Sequence, residues 1–147
     1  VDGCSAPQYS FKISDICNML INLIKSYKDD FYYSNEVKIL INSILQYPNY
    51  IGGTDSLDSR IMSISKNNIF CKGGAEGVFL FAHLKKDIVG VIKIVDGNER
   101  AIPFFIFDLF KKFKIMNKIE LQKLNKYYSF HLNNHANISI GSINTKL

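Results

Sequence analysis

The chain has 147 residues, of which 47% are hydrophobic and 21% are charged, and its net charge at pH 7 is +5. This balance is typical of a globular domain with its own core and excludes an intrinsically disordered chain. Among the 18 basic residues, only Arg60 and Arg100 are arginine. Arginine is favoured for bidentate contacts to phosphate groups and to base edges. The scattered lysines therefore indicate a solvated surface and not a nucleic-acid interface.

No segment of the sequence is apolar for long enough to cross a membrane. The longest apolar runs, residues 78–82 and 101–107, are far shorter than the roughly 20 residues that a bilayer requires. The three cysteines, Cys4, Cys17 and Cys71, are odd in number and widely spaced, which makes a poor disulfide framework. We therefore expect a protein of the reducing cytoplasm with no membrane partner.

The N-terminal part of the sequence predicts helices. Apolar residues recur at helical spacing from Ile13 to Tyr27, with Cys17 on the apolar stripe and Ser14 as the expected N-cap. A second helix is expected from its cap Ser34 up to Pro48, which cannot continue it. A short third helix follows the Gly52-Gly53-Thr54 turn. The apolar residues that predict the second and third helices are Val37, Leu40, Ile41, Ile44, Leu45, Leu57, Ile61 and Met62.

The pattern then changes to that of strands. Segments 69–72, 78–84 and 88–95 are rich in β-formers, and residues 85–87 are the expected turn of a hairpin. A strongly apolar helix from Ile102 to Phe113 should pack on this sheet. The lysines near its C-terminal end, Lys111, Lys112 and Lys114, suit the negative end of its dipole. A further helix is predicted over residues 119–128 and a final edge strand around Ile138 and Ile140. The order predicts one α+β domain, residues 1–147, with helices packed on a short antiparallel sheet.

The first motif that suggests chemistry is Asp2-Gly3-Cys4. A thiolate such as that of Cys4 is a soft ligand suited to zinc, and it can also act as a nucleophile. A tetrahedral zinc ion requires three or four protein ligands, and the sequence has no CxxC pair that would complete such a site. Taken by its spacing alone, the motif is typical of a small residue in a turn.

The second motif is Lys72-Gly73-Gly74, at the end of the predicted strand 69–72. The motif is similar to the lysine-any-glycine pattern on a strand beside the active site of β-lactamase-like enzymes, where the lysine places a cation near the nucleophile and the substrate carboxylate. The glycines would let a ligand approach the strand edge. A strand that ends in Lys-Gly-Gly usually leads only into a turn. The longer string Lys-Gly-Gly-Ala-Glu-Gly is a more specific signal of a functional motif. Within it, Glu76 fits either a surface charge or a contact to a substrate amine.

The two motifs together resemble the second half of the L-asparaginase II family, the zinc-associated, rhizobial-type amidohydrolases. Other segments match in the same order: Ile51-Gly52-Gly53-Thr54 before Asp58, Ile94-Val95-Asp96-Gly97 before Arg100, and Asn137 before Ile140-Gly141. The resemblance covers nearly the whole chain. It implies the C-terminal half of a fold similar to that of serine β-lactamases, penicillin-binding proteins and glutaminases.

The resemblance also implies an activity, the hydrolysis of L-asparagine to L-aspartate and ammonia. In the family, the D-G-C cysteine is a zinc ligand, and the other ligands come from an upstream motif that is absent here. The Ser-x-x-Lys nucleophile pair is also missing; Ser63 and Lys66 have its spacing but lie out of register. Zinc is thus expected only in a complete family site. The site residues that the resemblance implies are Lys72 and Asp2 as catalytic, Gly73, Gly74 and Glu76 as substrate-binding, and Cys4 as metal ligand.

Three functions stay open at this level. The first is the C-terminal portion of an L-asparaginase, which needs a complementary N-terminal chain or a homodimer to be active. The second is an inactive remnant of a broken gene. The third is a non-catalytic interaction domain that has kept the outline of the family.

Overall fold

Among the described residues, four helices precede the first strand in the computed structural model, which describes residues 5–128 and 131–147. The predicted α+β class is confirmed. The helices are α1 (Ile13–Tyr27), α2 (Ser34–Gln46), α3 (Asn49–Gly52), α4 (Leu57–Ile64), α5 (Ile102–Lys112) and α6 (Lys118–Asn125), with a 3₁₀ turn at Glu99–Ala101. The strands are β1 (Ile69–Gly74), β2 (Val78–His83), β3 (Ile88–Lys93), β4 (His131–Asn133) and β5 (Ser139–Ser142).

Strands β1, β2 and β3 form an antiparallel sheet in that order, so β1 is an edge strand. Its register places Lys72 opposite Leu80 and Gly73 opposite Phe79. The predicted hairpin is confirmed, because β2 and β3 pair antiparallel across residues 84–87. Strand β1 ends at Gly74, two residues beyond its predicted end at Lys72. Both glycines of the second motif are therefore part of the edge strand.

The core lies between the sheet and the helices. Phe81 of β2 meets Phe110 of α5 edge to face, with ring centroids 4.9 Å apart, a geometry that aromatic pairs favour. Gly90 on β3 makes room for Phe81, since a Cβ there would lie 2.3 Å from the ring. Helix α4 contacts both β1 and α6. This packing holds the first turn of α4 against the edge strand.

Two predicted caps are wrong. The backbone N–H of Lys12 donates to Asp15 Oδ2 over 3.3 Å, so α1 is capped at Lys12, and Ser14 lies inside the helix. Helix α2 follows Tyr33, which has a left-handed conformation, and Ser34 is the first helical residue instead of the cap. In both places the N-cap lies one or two residues before the serine that was expected to be the cap.

Two side chains that were expected on buried stripes are exposed. Leu40 on α2 is 55% exposed, because Ile41 and Leu45 occupy the face of that helix that meets the core. Phe113 is 56% exposed because it lies just past the last residue of α5. The apolar pattern thus identified both helices but overestimated the width of their buried faces.

The predicted final strand forms, but not at the edge of the main sheet. Strand β5 pairs with β4 to form a separate two-stranded sheet. Ile140 of β5 and Ile138, just before the strand, are both exposed. The likeness to a β-lactamase-type fold and the single-domain boundary stay predictions. Within the described ranges, no helix is both long and apolar enough to span a bilayer.

Candidate active site

A cleft of about 530 Å³ opens where three elements meet. The first turn of α4 forms one wall, the end of β1 forms a second, and the start of α5 with the preceding 3₁₀ turn forms a third. Its polar side chains in the described part of the chain are Ser56, Asp58, Lys72, Glu99 and Arg100. This combination of carboxylates and cations in a concave site suits a small zwitterionic or amide-bearing ligand.

The sequence fixes the position of the α4 wall through serine caps. Ser56 is the N-cap of α4, and its Oγ accepts a hydrogen bond from the backbone N–H of Ser59 over 3.2 Å. Ser59 is buried and donates through its own Oγ to the carbonyls of Pro48 and Gly53, at 3.0 and 2.9 Å. These bonds attach the first turn of α4 to the preceding loop, and Asp58 lies in that turn.

Asp58 is the most firmly held charged group of the cleft. It is 4% exposed, and the N–H of Ser59 donates to its Oδ1 over 3.0 Å. The hydroxyl of Ser56 donates to the same oxygen. The N–H of Gly73 donates to Oδ2 over 3.1 Å, and the Lys72 ammonium lies 3.7 Å from Oδ2. Both oxygens of the carboxylate are thus directed by fixed donors.

These donors decide the charge of Asp58. Burial alone would raise the pKa of this carboxyl, because it penalises the ionised form. The hydrogen bonds from Ser56, Gly73 and Ser59, together with the Lys72 charge, outweigh burial and lower the pKa below its ordinary 3.8. Asp58 is therefore an anion at neutral pH, held at the end of the edge strand.

Gly52 leaves the space that Asp58 occupies. A Cβ at Gly52 would lie 2.1 Å from Asp58 Oδ1 and 2.4 Å from Ser56 Oγ. Real Cβ atoms do not approach oxygen so closely, so any larger residue must displace the carboxylate. The Gly52-Gly53-Thr54 segment was predicted as a turn; in the structure Gly52 ends α3, and its lack of a side chain shapes the cleft.

Lys72 reaches the mouth of the cleft from the edge strand. Its side chain is 45% exposed, and its ammonium donates to the carbonyl of Gly73 while it faces Asp58. One side of the ammonium is therefore held by protein oxygens, and the other is accessible from solvent. An ammonium in this position can pair with a ligand carboxylate without leaving Asp58.

Cys71 takes no part in the accessible chemistry. Its side chain is fully buried, and Sγ donates to the carbonyl of Asp58 over 3.4 Å. Burial raises the pKa of this thiol well above its ordinary value. Cys71 is thus a neutral thiol that packs β1 against α4, in keeping with its place outside the expected ligand set.

The predicted site residues divide into three groups. Lys72, Gly73 and Gly74 all line the cleft, so the structure brings the second motif together with Asp58. Glu76 lies in the turn between β1 and β2, outside the residues that line the cleft. Its carboxylate lies close to Gly97, where a Cβ would come within 2.6 Å of Oε2. The other two predicted site residues, Asp2 and Cys4, lie outside the described residues.

Asp58 and Arg100 lie in or beside segments that resemble the family, but neither was predicted as a site residue. Both line the cleft in the structure. Asp58 follows a glycine pair and a serine cap, which is the signal of a carboxylate in a helix first turn, where the dipole favours anions. Arg100 is exposed and pairs with Asp96 over 3.4 Å. By contrast, Ser63 and Lys66 are not among the lining residues of this cleft.

The described residues do not supply a metal centre. Across residues 5–128 and 131–147, no three histidine, cysteine or acidic side chains are grouped so that they could hold an ion. His83 is buried at the end of β2, and its Nδ1 accepts from the N–H of Lys86 over 3.3 Å.

The model of one protein family, L-asparaginase II, matches residues 1–145. The chain belongs to the L-asparaginase II family. The match covers essentially the whole chain, so the family that the two motifs indicated is confirmed. In this L-asparaginase II chain, the string from Lys72 to Gly77 forms the end of the edge strand and the turn after it. A comparison with curated proteins found no significant match.

Proposed function

We propose that this chain contributes the substrate-binding edge of an L-asparaginase, which hydrolyses L-asparagine to L-aspartate and ammonia. The observation that carries the proposal is the ion pair of Lys72 with the buried Asp58 at the glycine-rich end of β1, in a chain of the L-asparaginase II family. The pair forms one wall of an open cleft large enough for an amino acid.

The charges of the cleft match those of asparagine. The ammonium of Lys72 is the proposed partner of the substrate α-carboxylate, because it is half exposed and faces the cleft. Glu99, which lines the opposite wall, is placed to attract the α-ammonium group. Gly74 has no side chain to block the strand edge, so the ligand backbone can approach it. These residues bind and orient the substrate; they do not attack it.

Amide hydrolysis also needs a nucleophile and a proton donor for the leaving ammonia. In the described part of the cleft, the only hydroxyl is that of Ser56, and its oxygen already caps α4 and bonds to Asp58. We therefore propose that the nucleophile is supplied by a complementary N-terminal chain or by a second copy. Asp2 stays a proposed catalytic carboxylate and Glu76 a proposed substrate contact.

Zinc is part of the proposal only through Cys4. A single thiolate supplies one of the three or four ligands that zinc requires, so the remaining ligands must come from the complementary part of the site. When bound, the metal would polarise an oxygen and stabilise negative charge. Zinc binding by the chain alone would be weak on this reasoning.

The first experiment is to measure ammonia release from L-asparagine by the purified chain, with and without zinc and with an upstream half from the same family. Activity by the chain, or in the mixture beyond that of either half, would support the proposal. A folded chain with no activity in any combination would contradict it. L-glutamine as a parallel substrate would define the amide preference.

A non-catalytic interaction domain is the second candidate. Helix α2 presents Ile39, 70% exposed, and Leu40 on its outer side, and such apolar side chains can bind another protein. Under this alternative the chain melts cooperatively and releases no ammonia. An inactive remnant would instead melt without a sharp transition and bind a hydrophobic dye.

A further inference from the structure

A second cleft lies at the other end of α5 from the candidate active site. Its volume is about 600 Å³, and it is bounded by the last two turns of α5, by α6, and by the turn between β2 and β3. The start of α5, at Ile102 and Pro103, lines the first cleft, whereas Phe107 and Lys111 line the second. The two clefts therefore share a helix but no lining residue.

The described lining of this second cleft carries only positive charge. Lys86, Lys111, Lys114 and Lys118 border it, and none of its lining residues is acidic. Within residues 5–128 and 131–147, none of these four lysines forms an ion pair. The Glu120 carboxylate lies near the rim, where it accepts from the N–H of Asn117 over 2.8 Å, but it forms no ion pair with these lysines. Four ammonium groups around one concavity repel one another, and an anion would relieve that repulsion.

One of the four ammonium groups is fixed by the fold. Lys86 Nζ donates to the carbonyls of Lys114 and Ile115, at 2.5 and 3.1 Å. Burial first and the Lys86 charge second lower the pKa of the His83 imidazole, whereas the Glu120 carboxylate acts in the opposite direction. The cleft is thus built into the fold at one side and is not only a set of free lysine tails.

The floor of the second cleft is apolar. Phe107 of α5 and Leu121 of α6 are half-buried there and pack against the core. An inorganic anion would satisfy the lysines but leave this floor exposed to water. A ligand with an apolar body and an anionic end would cover both.

We propose that this second cleft binds a small amphiphilic anion, with its apolar body on Phe107 and Leu121 and its carboxylate or phosphate among Lys111, Lys114 and Lys118. Lysine ammonium groups act as point charges that accept either head group. The proposal is independent of amide hydrolysis, since the site lies at the opposite end of α5 from the proposed active site.

Binding is tested with the full chain by calorimetry, using decanoate and decyl phosphate below their micelle concentrations. Decanol carries the apolar chain without a charge, and inorganic phosphate carries the charge without an apolar chain. We expect both decyl anions to bind and both half-probes to bind at least about tenfold more weakly. The tighter of the two decyl anions identifies the head group. Equal binding of decanol would show that the lysines are not used and would overturn the proposal.

A matched pair of double variants locates the site. Lys111→Gln with Lys118→Gln should weaken decanoate binding at least about tenfold, because two charged contacts are lost. Lys66→Gln with Lys123→Gln removes the same charge away from the cleft lining and should leave the affinity within about twofold of wild type. An equal loss in both double variants would mean unspecific charge attraction.

Two further measurements complete the test. Methyl chemical shifts of Leu121 should move with decanoate, and thermal unfolding should show that both double variants fold as the wild type does. Binding of the chain to anionic phosphatidylserine vesicles, without binding of monomeric decanoate, would overturn the proposal by assigning the lysines to a membrane surface.

Discussion

The backbone N–H of Gly73 donates to Oδ2 of Asp58 over 3.1 Å, and this bond joins the free edge of β1 to the first turn of α4. The same carboxylate lies 3.7 Å from the ammonium of the preceding residue, Lys72. One buried side chain thus fixes both the strand edge and the charge beside it.

Replacement of Asp58 by Ala should destabilise the fold. The N–H of Gly73 would lose its acceptor, and a donor left unpaired inside the protein costs roughly 1–3 kcal/mol. The N–H of Ser59 would lose one acceptor and keep the other, Ser56 Oγ. Urea unfolding monitored by circular dichroism measures the change. Asp30→Ala removes an exposed carboxylate without a side-chain partner among the described residues and should change stability by no more than about 0.5 kcal/mol. A similar small effect for Asp58→Ala would contradict the structure.

The contribution of Asp58 to stability should depend on pH in the acidic range. Its pKa in the folded chain lies below the ordinary 3.8, since the donors of Ser56, Gly73, Ser59 and Lys72 outweigh burial. A depressed pKa gives stability that is fully present above about 3.8. That stability falls as the pH drops through the folded-state pKa.

The measurement compares the wild type with Asp58→Asn by urea unfolding between pH 7 and pH 2.5. The difference in unfolding free energy between the two should be constant near neutrality and should shrink below about pH 3.8. If the difference were to grow on acidification, Asp58 would have a raised pKa and the hydrogen-bond assignment would be wrong.

Gly52→Ala should disturb the cleft. The new Cβ would come within 2.1 Å of Asp58 Oδ1, so the carboxylate has to leave its donors. We expect a loss of roughly 1–3 kcal/mol, in the range of overpacked buried sites, and a lower melting temperature. Gly141→Ala is the control, because its Cβ would meet only Leu132 Cδ1 at 4.0 Å and its backbone needs no positive φ. Equal melting temperatures for both variants would refute the close packing.

Lys72→Ala should reduce asparagine hydrolysis in whichever assembly is active. Loss of the charged partner of the substrate α-carboxylate should cost about 1.5–3 kcal/mol, roughly 10- to 150-fold in kcat/KM, mostly through a higher KM. Lys72→Arg keeps the charge but not the compact ammonium, and should recover only part of the activity. Lys66→Ala changes an exposed lysine outside the cleft and should leave the rate unaltered. A Lys72→Ala chain as active as wild type would remove Lys72 from the proposed site.

The thiols should differ in reactivity. Cys71 is fully buried with a raised pKa, whereas Cys17 on α1 is only partly buried. Iodoacetamide at neutral pH should therefore modify Cys17 before Cys71 in the native chain, and both should react in urea. Mass spectrometry of the peptides measures the order. Modification of Cys71 at the rate of Cys17 would show that β1 and α4 separate readily.

The elements of this fold follow closely from local sequence. Helical spacing from Ile13 to Tyr27 and from Ile102 onward, and β-rich runs around a polar turn, predict elements that the structure contains. These predictions succeed because side-chain periodicity reports which face an element buries. The caps at Lys12 and Tyr33 were missed, since a backbone bond or a left-handed residue outweighed the hydroxyl signal. The pairing of β5 with β4 was not predicted, because alternating apolar and polar residues indicate a strand but do not specify its partner strand.

The sequence by itself determined the family and the order of the helices and strands, because the motif around Lys72 and the apolar periodicities are local patterns. Only the tertiary structure decided that Asp58 meets Gly73, fifteen positions away, and that Glu76 lies outside the cleft. Likewise, the sequence predicts the lysines at the C-terminal end of α5 only as partners of a helix dipole, and the fold brings Lys86 and Lys118 beside them. The physical reason is that pairing of charges and burial of a carboxylate depend on distances across the core, which no local pattern of residues contains.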